Sequence, residues 1–308
     1  MKNICVPVDF SKHSRAALEI AFDLAVRNKL ALHIFHVIES PRTSSLLPDL
    51  YLDTIPDDTN FNESLVKLAK EKIKKWIPGS SDGIEILSNA TVGNLFDEFR
   101  KYTRENPPEL IVMGAKGYNN KQPNTIGDFT ERMIKKSDFP VLTVKAGWAK
   151  KEINKIMMLA DFVENEANIA FEIKRLNKWF NAHIEILRIN TPQDFESDSV
   201  IESKFQMFLD KYLLENCSLF IYNHSVKEEG IVLAAKKSKA DLIAIAAYSK
   251  NILERLFTIP GESSLEEDFI DLLEYPVWVF KPYFKFPSGS GLVDEIKEFK
   301  FFNRSGNE

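Results

Sequence analysis

TERMIKKSDFPVLTVK, residues 130–145, runs from a helical pattern through a proline into a β-branched run, and EEDFIDLLEYPVWVFK, residues 266–281, repeats it with acid, aliphatic, proline and strand in step. Pro140 and Pro276 each stand directly before the strand, where a residue lacking an N–H can start a strand without donating to a central ladder. Both strands therefore read as sheet edges, and edges need cover. The pattern predicts that PVLTV and PVWVF pair antiparallel with each other, joining two halves of one chain as two copies join in a twofold dimer.

The repeat extends outward. KNICVPVDF (2–10) is echoed by INKIMMLADF (153–162), and ELIVMGAKG (109–117) by DLIAIAAYS (241–249). A period of about 135 residues means duplicated domains, not a short-repeat solenoid. Within the first half NICVPV, LALHIFHV, GIEILS, ELIVMG and PVLTVK read as strands, alternating with helical stretches such as HSRAALEIAFDLAVRNK, NESLVKLAKEKIKKW and GNLFDEFRKYTREN. That alternation predicts an α/β fold of two tandem domains, each a five-stranded parallel sheet with helices on both faces and a ligand edge at the carboxyl ends of the strands. The expected divisions are residues 1–147, 152–282 and a C-terminal tail, 283–308. The tail's amphipathic LVDEIKEFKFF docks either on the second domain or on a partner. Residues 40–60, with three prolines, form a lid, an interaction segment or a loop without function.

With 308 residues, 44% of them hydrophobic, the chain buries the core that two domains need. Residues 1–150 sum to +2 and residues 151–308 to −7, which argues against a nucleic-acid binder with a broad basic face. No run of 18 apolar residues occurs. Cys5 and Cys217 are too isolated for a disulfide framework or a Cys-based metal site and read as buried thiols in a reducing cytosol. The expectation is a soluble cytoplasmic protein with no membrane partner.

Gly114, Gly117 and Gly127 are spaced as G-x2-G-x9-G between a strand and a helix. Glycines allow a ligand to approach the backbone, and a helix start offers unpaired N–H groups and partial positive charge to a phosphate. Lys116 and Arg132 add cationic charge nearby. The alternative is that the glycines only shape a loop.

VPVDFSKHSRAALEIAFDLA, FHVIES, IVMGAKG-x9-G and ERMIKKSDFPVLTVK together resemble the universal stress protein family, and the second half resembles a degenerate second copy, so the likeness spans residues 1–282. The resemblance implies the adenine nucleotide alpha-hydrolase-like fold and, in one branch of the family, ATP binding. Carried over by position, it gives Asp9 to the adenine or ribose end and Val37 to the adenine wall. Gly114, Lys116, Gly117 and Gly127, continuing into Asp128 and Phe129, become the ribose and phosphate cradle. The implied ligand is ATP or AMP, with Mg2+ as a companion.

Asp128 departs from that pattern, which has Ser or Thr after the last glycine. A carboxylate about 5 Å from a phosphate charge costs roughly 3 kcal/mol at an effective dielectric of about 20, more than the about 0.3–1 kcal/mol that a helix terminus returns. Lys116, Arg132 or Mg2+ would have to offset it. An acidic residue at a helix start also stabilises that helix without any ligand. In the second half Ala246 and Ser249 replace the first two glycines, and six carboxylates between Glu262 and Glu274 surround the expected helix start. Asp161 remains there as ligand contact or helix cap.

Catalysis has little support. His33 and His36, three apart in a strand, face opposite sides and cannot chelate together, and neither G-x-S-x-G nor a Walker pattern occurs. The readings are a stress-response protein that binds an adenine nucleotide through its first half, an interaction or scaffold protein of the same family that binds none, and, last, a slow ATPase. A protein partner and a homodimer are both compatible with the chain.

Overall fold

In a computed structural model of the chain, the residues described are 2–39, 59–79, 83–116, 127–148, 152–159, 166–246 and 275–281. The first half contributes β1 (Asn3–Pro7), α1 (Lys12–Asn28), β2 (Ala31–Glu39), α2 (Thr59–Trp76), β3 (Ile86–Gly93), α3 (Leu95–Glu105), β4 (Leu110–Gly114), α4 (Asp128–Lys136) and β5 (Val141–Val144). The second contributes β6 (Lys155–Leu159), α5 (Glu166–Phe180), β7 (His183–Asn190), α6 (Asp198–Tyr212), β8 (Cys217–Asn223), α7 (Lys227–Ser238), β9 (Leu242–Ala246) and β10 (Val277–Phe280).

The strands form one ten-stranded sheet in the order β3-β2-β1-β4-β5-β10-β9-β6-β7-β8. Every pairing is parallel except β5 with β10, which is antiparallel as the two Pro-led motifs predict. Continuous apolar runs such as NICVP and LIVMG are buried along their whole length because helices cover both faces. On one face Ile4 and Val6 belong to a cluster that runs across the sheet and takes in Leu18 of α1, Ile73 of α2, Ile173 of α5 and Phe205 of α6. On the other, Cys5 and Ile111 belong to a cluster that takes in Phe99 of α3, Met133 of α4 and Val232 of α7.

Local signals set the boundaries. Ser11 caps α1 by accepting from the Ser14 N–H at 3.1 Å, and Lys29 closes the helix in the left-handed region, its N–H on the Ala25 and Val26 carbonyls. Asn94 caps α3 by accepting from the N–H groups of Phe96 and Asp97. The third strand runs to Gly93, five residues beyond the GIEILS motif, because the polar SNATVG stretch pairs in register with Ile34–Glu39. Cys5 is fully buried, whereas Cys217 is only partly so, since it opens an edge strand; burial raises both thiols, Cys217 to about 11.

No described helix is long and apolar enough to cross a membrane. The 40–58 part of the insertion, the tail 283–308, Asp161 and the 262–274 acidic stretch lie outside the described residues.

Candidate functional site

The strand order reverses around β1, whose neighbours are β2 and β4, and the crevice at their carboxyl ends is where doubly wound sheets take ligands. Asp9 sits two residues beyond β1 and accepts the Ser11 N–H at 3.0 Å, bracing the turn into α1. Between them Phe10 holds a φ of 62°, a conformation bulky side chains rarely adopt. Its ring fixes that turn from outside, 4.6 Å from His36 and edge-on to Trp76 at 5.0 Å, with Lys72 Nζ 3.9 Å from its centre. His36 Nδ1 donates to the Val8 carbonyl at 2.6 Å, and burial is the main influence lowering its pKa.

Gly114 ends β4 against the first turn of α1. A Cβ there would lie 2.8 Å from the carbonyl carbon and Cβ of His13 and 2.9 Å from the Ser14 nitrogen. The glycine is thus required by helix–strand packing before any ligand is considered, and that packing brings the start of α1 beside Lys116. The Lys116 side chain is buried, and its pKa is lowered first by burial and then by Lys145. His13 joins them. Its Nδ1 accepts the Ala146 N–H at 2.9 Å, so its hydrogen lies on Nε2. Burial lowers the His13 pKa most, Lys116 and Lys145 push the same way, and Asp9 opposes them.

The chain re-enters the described structure at Gly127, whose N–H donates to the Ala115 carbonyl at 3.0 Å. Gly127 is the N-cap of α4 and supplies no side-chain cap, while Thr130 Oγ1 donates to the Gly114 carbonyl at 2.9 Å. The α4 start is therefore clamped to the end of β4, and its N-cap Gly127 gives its first N–H groups no side-chain acceptor. Asp128 is exposed in the first turn of that helix.

Asp9, Gly114, Lys116, Gly127 and Asp128 thus share one strand edge; Gly117 lies outside the described residues. Val37, on β2, buries its side chain in the cluster beneath α3, and Phe129 packs edge-on to Phe99 at 5.8 Å, so neither side chain faces the strand edge. Arg132 stacks its guanidinium 4.0 Å from the Phe96 ring. His33 and His36 do face opposite sides: His33 meets the Tyr102 hydroxyl at 3.0 Å under α3. Sequence reasoning missed Phe10, His13 and Lys145. Lys145 directly follows a strand and was legible as a carboxyl-edge residue; the approach of His13 follows only from the α1–β4 packing.

Residues 1–145 match the profile of the Universal stress protein family. A universal stress protein of Methanocaldococcus jannaschii is 28% identical over 153 residues, 47% of this chain and 94% of that protein. The crystal structure of a universal stress protein from Archaeoglobus fulgidus DSM 4304 superposes with a TM-score of 0.60 at 17% identity, covering 91% of this chain and 96% of that one. A structure from Pseudomonas aeruginosa UCBPP-PA14, described under the same family name, gives 0.56 at 15% identity over 97% of both chains. The two-domain fold is therefore shared along nearly the whole length.

Proposed function

Since residues 1–145 belong to the universal stress protein family, we propose that the chain is a cytoplasmic stress-response protein whose first half binds an adenine nucleotide, ATP or AMP, at the β1–β4 crevice. The observation that carries this reading is the gathering of Lys116, Lys145 and His13 at the strand ends next to the start of α4, whose Gly127 N-cap supplies no side-chain cap; Lys145 lowers the pKa of Lys116, and both lysines lower that of His13. Lysine charge gathered at a helix N-terminus suits an anion, and a phosphate meets both the cations and the helix N–H groups. Asp9 and the backbone at Val37 take the nucleoside end, and Gly127, Asp128 and Phe129 present the α4 start to the phosphates. Residues 1–147 form the binding domain, residues 152–282 support it, and residues 283–308 form the tail.

Among the described residues no three His, Cys, Asp or Glu side chains gather as a metal site. Mg2+ therefore enters this reading only with phosphate oxygens among its ligands, Asp128 being the carboxylate nearest the α4 start. Extraction of the freshly purified protein followed by mass spectrometry of the released nucleotides, with thermal melts in added ATP, ADP and AMP, tests the proposal. Saturating ligand at 100 times its dissociation constant raises stability by about 2.7 kcal/mol.

A second reading, an interaction protein that binds no nucleotide, is favoured by the packing requirement at Gly114, which explains that glycine without a ligand. No nucleotide released and no shift at millimolar ligand select it.

A further inference from the structure

The opposite edge of the second half carries a hydrogen-bonded trio unrelated to the nucleotide crevice. His183 opens β7, and Ser218 is the second residue of the neighbouring β8. His183 Nε2 lies 2.7 Å from Ser218 Oγ, and Nδ1 lies 3.1 Å from Asn216 Oδ1. Asn216 settles where the protons are. Its amide nitrogen donates to the Ala182 carbonyl at 3.0 Å, which turns Oδ1 toward the imidazole. Because Oδ1 only accepts, Nδ1 carries the hydrogen, Nε2 presents its lone pair, and the Ser218 hydroxyl donates to it. The Asn216 backbone sits at a φ of 56°, a region asparagine tolerates, so the turn itself aims this side chain.

A hydroxyl, a base that accepts its proton and an amide that holds the base in the right tautomer are the parts of an activated serine. We propose that Ser218, His183 and Asn216 form a nucleophilic site for short-chain carboxylic esters. Ser218 Oγ attacks the ester carbonyl carbon as its proton passes to His183 Nε2. Collapse of the tetrahedral adduct breaks the bond to the alcohol oxygen, which leaves with the imidazolium proton, and the acyl group remains on Ser218. Water then attacks that acyl carbon, His183 taking its proton and returning it to Ser218 Oγ as the acid departs. The sum is ester plus water giving acid plus alcohol.

The strand supplies a donor for the oxyanion. The Ile184 N–H donates to the Asn216 carbonyl at 3.0 Å, so in this parallel ladder the backbone of Asn216 and Ser218 faces β7 and that of Cys217 and Leu219 faces outward. β8 is the last strand of the sheet. The Leu219 N–H, directly after the nucleophile, therefore points off the edge, where charge develops on the carbonyl oxygen. Phe220 stands on the Ser218 face two residues along, with Lys237 Nζ 5.9 Å from its ring centre, and gives a short acyl chain an apolar shelf.

The test uses the full-length protein, a fluorophosphonate probe located by peptide mass spectrometry, and initial rates of 4-nitrophenyl acetate hydrolysis. The expected results are label on Ser218, its loss in Ser218→Ala, and labelling and ester turnover about a hundredfold slower in His183→Ala. Asn216→Ala lowers the rate at neutral pH, and Asn216→Asp, which keeps an acceptor for Nδ1, restores it. Melting temperatures of all variants accompany the rates, and His183→Gln replaces His183→Ala if the latter melts early. Label elsewhere than Ser218, an ester rate unchanged in Ser218→Ala, or labelling of Ser218 that is as fast without His183 overturns the proposal.

Discussion

Leu142 and Trp278 lie opposite one another across the antiparallel β5–β10 pairing, and each is the second residue after the proline that opens its strand. Equivalent positions of the two halves thus meet at one point, where the pseudo-twofold axis crosses the sheet. Trp278 is fully buried there, edge-on to Trp179 at 5.8 Å and Phe180 at 5.9 Å, and its indole N–H donates to Glu172 Oε1 at 2.5 Å. Trp278→Ala removes this packing at the seam and leaves the Glu172 carboxyl without its donor. A destabilisation of about 3–5 kcal/mol is expected in urea unfolding.

Glu172 makes the seam sensitive to pH. Burial, the largest influence, raises its carboxyl above the ordinary value of 4.5, against Arg175 and the Trp278 bond, which lower it. Lys281 and Asp138 face the same small cavity. The folded protein therefore keeps this proton where the unfolded chain has lost it, so the contribution is complete below the ordinary carboxyl range and declines as pH rises above about 4.5. In Glu172→Gln this decline disappears. Urea midpoints of wild type and variant, compared from pH 4 to pH 8, are expected to diverge as pH rises, with the variant the more stable at the upper end.

Gly114→Ala separates packing from binding. Its methyl group meets backbone atoms of His13 and Ser14, which are not free to yield. A loss of about 1–3 kcal/mol is expected in nucleotide-free protein, measured by denaturant unfolding. Unchanged stability would mean that α1 withdraws at no cost.

Much of this fold was legible because duplication and proline placement are local patterns with one topological solution. PVLTV and PVWVF revealed the seam, and NICVPV and ELIVMG revealed a sheet covered on both faces. For the candidate site, the shared strand edge of Asp9, Gly114 and Lys116 was legible, because each stands at or just after a strand end. It was not legible where packing decides: nothing in the spacing shows that Gly114 serves α1, that Phe10 takes a left-handed turn, or that Arg132 stacks on Phe96. The trio at His183 was hidden for the same reason, since Asn216, Ser218 and His183 meet only through the β7–β8 register.

Asp128→Ser removes a carboxylate from the first turn of α4 and restores a donor there. ATP binding is expected to strengthen by about 1–3 kcal/mol, roughly five- to a hundredfold, and AMP binding by less. Serine is also accepted at a helix start, so the unfolding midpoint should hardly move. Titrations with ATP and AMP, with and without Mg2+, measure both. Weaker ATP binding only when Mg2+ is present would assign Asp128 to the metal instead.

The nucleotide reading turns on Lys116, whose buried side chain lies with His13 and Lys145 at the strand ends. The most direct measurement is calorimetric titration of wild type and Lys116→Met with ATP at low ionic strength. A nucleotide site in the first half predicts saturable binding of one ATP per chain, weakened in Lys116→Met by about 1.5–3 kcal/mol, with melting temperatures checking that the variant is folded. Absence of binding to wild type at millimolar ATP, or equal binding by both proteins, would contradict it.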